Sequence, residues 1–207
     1  MIGPVRRESS TVVVVVGQVR DPVLAALAQS PNIALVRPPA AEQEPDRLAA
    51  AATALAEAGR RPAPFVLVPA DPLAGVAAEW RAMWDLTAGT PGAVTFEAQA
   101  AEALAAWRAK RFELPDYYLS LTPATADGTG PDLYLGPLRA ARPRRVAAVL
   151  TAPDDREAAG QVRQALRELT HGPWWPPLDE LLGSARTFFA GSLGGSGVPA
   201  AGGAARR

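Results

Sequence analysis

Five consecutive valines, Val12 to Val16, closed at once by Gly17, constrain this chain more than any other stretch. β-branched side chains are stiff at χ1 and suit a pleated strand better than a helix. A strand with one wet face alternates apolar and polar residues. An unbroken apolar run needs cover on both faces, as in the parallel sheets of α/β proteins. The run therefore reads as a central strand, with a ligand expected at its carboxyl end.

The rest of the chain repeats that theme. Apolar segments near 11–16, 32–37, 65–69, 93–96, 117–122 and 145–151 predict strands, with helical patterns between them. Asp21-Pro22 and Asp71-Pro72 follow the first and third, each an acid suited to an N-cap before a proline suited to N1. Pro45 to Gly59 is alanine-rich and helical, the segment after Pro72 carries Trp80, Met83 and Trp84, and a further helix is expected from about Glu97 to Arg111. Asp132 to Ala141 predicts a short helix broken at Gly136-Pro137, and Asp154-Asp155 opens another. Strand then helix with short connections means a three-layer α/β domain, Rossmann-like in outline. It holds a mostly parallel sheet of five or six strands with helices on both faces and an added C-terminal amphipathic helix. The valine strand and the one at 145–151 are expected at the sheet centre. Residues 1–10 read as flexible, 11–190 as one domain with 172–190 appended, and 191–207 as a disordered Gly/Ala-rich tail.

Composition mainly excludes. Acids and bases balance at 21 each, which gives no electrostatic case for nucleic acid or an anionic membrane. Among the basic residues only Lys110 is a lysine, and with the abundant alanine and proline this fits the codon bias of a GC-rich genome. The absence of cysteine removes disulfides, thiolate nucleophiles and zinc–thiolate sites together. Arg6 and Arg7 precede the valines, but Gln18, Arg20 and Asp21 interrupt that run short of the roughly 7–15 apolar residues of a signal peptide. The expectation is a soluble, cytoplasmic protein.

Candidate chemistry gathers at the expected strand ends. Asp21, Asp71, Glu97, Asp154 and Asp155 could in principle share one sheet edge and hold a metal against a phosphate. Capping of the helices they precede is the simpler account, and no metal ligand is assigned. Gly17 with Arg20 could form a small anion cradle. Neither G-x-G-x-x-G nor G-x-x-x-x-G-K-[ST] occurs, and an acid at position 21 would repel a phosphate. His171 is the sole histidine and no G-x-S-x-G motif accompanies it, so it is read as sitting at a helix C-terminus rather than in a triad. Trp174 and Trp175 lie between prolines, one expected inside and one near the surface. They lead into a stripe of Leu178, Leu181, Leu182, Ala185, Phe188 and Phe189.

The functional expectation is a non-enzymatic interaction or regulatory module. Its partner, another protein or a second copy, would dock on Trp174, Trp175, Leu178, Leu181, Leu182, Phe188 and Phe189. The alternative is an enzyme or sensor for a small ligand, a phosphorylated or nucleotide-like one included, at Gly17, Arg20, Asp21, Asp71 and Asp154. No catalytic residue and no cofactor is assigned.

Overall fold

The computed structural model describes residues 10–40, 44–84, 92–124 and 132–194. Five strands, β1 (Thr11–Gly17), β2 (Ile33–Leu35), β3 (Phe65–Val68), β4 (Tyr117–Pro123) and β5 (Val146–Thr151), form one parallel sheet in the order β2-β3-β1-β4-β5. The helices are α1 (Asp21–Ala28), α2 (Glu44–Ala58), α3 (Ala74–Met83), α4 (Gly92–Arg108), α5 (Arg139–Ala141), α6 (Asp155–Arg167) and α7 (Leu178–Gly194). A π-helical stretch, Tyr134–Leu138, runs straight into α5.

The valine run is explained by its two neighbours and two faces. Val12, Val14 and Val16 enter the core shared with α2, α3, α4 and α7, while Val13 and Val15 enter the core shared with α1 and α6. Side chains that alternate across a doubly covered strand must all be apolar. All five valines are buried accordingly.

Two expectations need correction. The segment 93–96 is not a sixth strand but the first turns of α4, whose Phe96, Ala100 and Ala103 are buried at helical spacing. Strand β5 is not central; it is an edge, and Leu150 on it is 65 % exposed. The segments 1–9, 125–131 and 195–207 lie outside the described residues, so most of the expected N-terminal arm and most of the expected tail fall there. Ser10 is held by a hydrogen bond from its Oγ to the Arg61 carbonyl, and 191–194 continue α7. No helix among the described residues is long and apolar enough to cross a membrane.

The C-terminal helix is a brace. Leu178, Leu181, Leu182 and Ala185 are buried in the same core as Val12 and Val14. Phe189 packs edge-on against Trp84, with ring centroids 5.0 Å apart, and lies 6.0 Å from Trp80. Its approach is fixed by Trp175, which is 5 % exposed and donates its indole N–H to the Pro115 carbonyl at 2.7 Å. The stripe expected to meet a partner is therefore largely spent inside the chain, leaving Trp174 (51 %) and Phe188 (37 %) at the surface.

Candidate functional site

The connection leaving β1 runs through α1 towards the β2 edge, and the one leaving β4 runs through the π-helical stretch towards the β5 edge. They leave on opposite faces: Val23 and Leu27 of α1 join one core, and Leu133, Tyr134 and Leu138 join the other. Where connections diverge in this way, the carboxyl ends of the adjacent strands stay uncovered and a crevice opens between them. Here it is a cavity of about 640 Å³, lined by the ends of β1, β3 and β4, by one side of α3, and by Asp132 and Tyr134.

Gly17 forms its rim with φ +85°, a conformation that glycine adopts without strain. A Cβ there would fall well inside contact distance of the Leu121 carbonyl oxygen. The next residue, Gln18, donates its N–H to that same oxygen at 3.0 Å. The chain thus turns tightly over β4 and leaves the crevice open behind it.

Asp71 lines the cavity from the end of β3 and is 7 % exposed. Its Oδ1 accepts from the Tyr118 hydroxyl at 3.0 Å and its Oδ2 from the Tyr134 hydroxyl at 2.6 Å. Burial pushes its pKa up to about 6, against the opposing hydrogen bonds from Tyr134, the Leu73 backbone N–H and Tyr118. The two phenols are pushed well above their usual range, first by burial and then by the Asp71 charge, so they stay protonated donors. Asp71 is therefore a buried acceptor fixed from two sides and not a helix cap: the residue preceding α3 is Leu73.

The other candidate acids are dispersed. Asp21 is the first residue of α1 rather than its N-cap, and it pairs with Arg37 at 2.7 Å. Asp154 does cap α6, accepting from the Glu157 N–H at 2.8 Å. Asp155 pairs with Arg20 at 2.8 Å, and Glu97, on α4 rather than at a strand end, takes a two-pronged contact from Arg186 at 2.7 Å. That contact holds Glu97 below the usual carboxylate range. No group of three or more potential metal ligands converges among the described residues.

Arg20 is likewise committed elsewhere. Its guanidinium donates to the Pro153 and Ala152 carbonyls at 2.5 and 2.7 Å, tying α1 to the loop before α6. The anion cradle expected of Gly17 and Arg20 is not assembled. Of the five ligand candidates, Gly17 and Asp71 meet in the crevice; Arg20, Asp21 and Asp154 are engaged outside it. Sequence reasoning missed Tyr118, Tyr134, Asp132 and Arg81. The one available signal was the spacing of Ala74, Ala77, Ala78 and Arg81, a small-residue face with a cation at its end. His171 is exposed, and its carbonyl accepts from Arg144. No protein-family model, curated protein or solved structure compared with this chain matches it.

Proposed function

We propose that the protein is a small-ligand-binding module whose ligand sits in the crevice between β1 and β4, and that it acts by binding rather than by chemistry. The observation that carries this reading is the 640 Å³ cavity at the carboxyl ends of the strands, a size suited to a metabolite-scale ligand. Its buried carboxylate, Asp71, favours recognition over catalysis. Both of its oxygens already accept from phenols, so it is positioned to receive a further donor rather than to abstract a proton freely.

A ligand-observed NMR screen of small polar metabolites, run on the wild type and on Ala78→Phe, tests this. Ala78 is exposed on the crevice wall, so a phenyl ring there occupies the cavity without entering the core. Hits that vanish in the variant support the reading; hits that persist unchanged place the ligand elsewhere. A second reading, a protein partner, is favoured by Trp174, whose exposed ring stacks with Arg145 at 4.8 Å and is held ready for contact. Light scattering on the wild type and Trp174→Ala would reveal association that depends on that ring.

A further inference from the structure

Among the described residues lining the crevice, Arg81 is the single cation, and no carboxylate partner for it occurs among the described residues. It stands on the same side of α3 as Ala74, Ala77 and Ala78, all of which line the cavity. Arg81 lies seven positions along the helix from Ala74, a span of roughly 10 Å at 1.5 Å per residue. Helical side chains lean towards the N-terminus, so that of Arg81 leans back along the cavity towards Asp71. Between the two lies a wall of small alanines.

The two ends differ in what they accept. Asp71 is acceptor-only when ionised; the two tyrosine hydroxyls and the Leu73 N–H take three of the roughly four lone-pair sites on its oxygens, which leaves one for a ligand donor. Asp132 also lines the cavity, with Oδ1 accepting from the Tyr134 and Leu135 N–H groups at 2.8 Å each. An anionic group is repelled at both acids, so its place is at Arg81, where a guanidinium can clasp a phosphate through two N–H groups. A hydroxyl is the natural partner of Asp71.

We infer that the crevice takes a phosphorylated sugar or polyol, with its phosphate at Arg81 and a hydroxyl donating to Asp71. This rests on the reading of the crevice as a ligand site and adds the ligand's chemical class and direction. The alanine wall leaves room for the carbon skeleton, and the cavity volume accommodates a monosaccharide phosphate.

Titration calorimetry on the full chain tests it with ribose 5-phosphate and glucose 6-phosphate as probes, beside ribose and inorganic phosphate as fragments. At least one sugar phosphate should bind tighter than either fragment by about tenfold or more, because both ends of the crevice are then engaged. Arg81→Gln, an exposed change that leaves the core intact, should weaken that binding at least about tenfold and flatten its salt dependence. Asp71→Asn should weaken the sugar phosphate while leaving inorganic phosphate unchanged. Equal affinity for inorganic phosphate and the sugar phosphates, or indifference to Arg81→Gln, overturns the assignment. So does a screen whose Ala78→Phe-sensitive hits include no phosphorylated compound, in which case the crevice remains the ligand site and only the class fails. If Ala78→Phe displaces nothing, the site and the class fall together.

Discussion

Asp71 and Tyr134 are joined by a 2.6 Å hydrogen bond that spans 63 positions of sequence and ties the end of β3 to the π-helical stretch before β5. The carboxylate is buried, its pKa is raised from 3.8 to about 6, and the phenol that serves it belongs to a different crossover. Stability and crevice chemistry meet at this contact.

The pH dependence follows from that shift. Between about pH 4 and pH 6 the folded protein holds a proton on Asp71 that the unfolded chain has released, so stability falls as pH rises through this window. The full effect is on the order of 3 kcal/mol, from roughly two pKa units in a buried group. Glu97 works in the opposite sense and at lower pH, since its pKa is depressed and its contribution disappears only on further acidification. Urea melts at pH 4.5, 6 and 7.5 should show the decline in the wild type and none in Asp71→Asn. The variant should equal or exceed the wild type at pH 7.5.

Tyr134→Phe removes one of the hydrogen bonds that hold the Asp71 pKa down. Its pKa should rise further and the pH window of declining stability should move upward. The loss at neutral pH should be about 1–3 kcal/mol, the range for leaving a buried charged acceptor short of a donor. A variant whose pH profile superposes on that of the wild type would show that Tyr134 does not govern the carboxylate.

The fold was legible where a periodicity was long or unbroken. Val12 to Val16 announced a central strand because only two-sided cover permits five apolar residues in a row. Val94, Thr95 and Phe96 misled because a short β-branched run carries only weak propensity, whereas the Phe96, Ala100, Ala103 spacing of α4 is set by packing. Val146 to Leu150 looked central for the same reason, yet Ala148 and Leu150 are exposed at the edge. The site was less legible. Asp71 stood out as an acid at a strand end, but its partners Tyr118 and Tyr134 are 47 and 63 residues away, and nothing local signals them. Arg20 attracted notice by lying beside Gly17; its carbonyl partners, Ala152 and Pro153, come from the far end of the sheet.

Gly17→Ala should be severely destabilising. The position combines φ +85° with a Leu121 carbonyl where the new methyl would lie, and neither the strand pair nor the turn can give way cheaply. A loss of several kcal/mol in chemical denaturation is expected. A near-neutral result would mean that the β1 exit is loosely held.

For α7, the brace assignment separates two substitutions that a docking face would treat alike. Leu181→Ala hollows the core and should cost about 2–5 kcal/mol. Phe188→Asp alters a partly exposed ring beside Trp80 and should cost only about 1–2 kcal/mol, with no change in elution volume. If Leu181→Ala melted like the wild type, the helix would not be part of the core.

Arg145 offers the last test, because backbone carbonyls and aromatic rings surround its guanidinium. It is 8 % exposed and donates to the Pro173 and Asp116 carbonyls at 3.1 Å and to the Gly172 carbonyl at 2.8 Å. Its guanidinium lies 5.1 Å from the Tyr117 ring centroid and 4.8 Å from that of Trp174. A planar group with fixed donors can satisfy three carbonyls and face two rings at once; a lysine ammonium, compact and more strongly hydrated, cannot. Arg145→Lys should therefore cost about 1–3 kcal/mol despite keeping the charge. Arg145→Met should cost at least as much, since three carbonyls lose their donor. The ring contact is measured separately by a double-mutant cycle with Trp174→Ala, for which a coupling of about 0.5–2 kcal/mol is expected. Amide exchange should quicken first at 171–175, the segment this arginine holds against the sheet. If Arg145→Lys were neutral and that segment stayed protected, the prolines around Trp174 and Trp175 would be holding it without help.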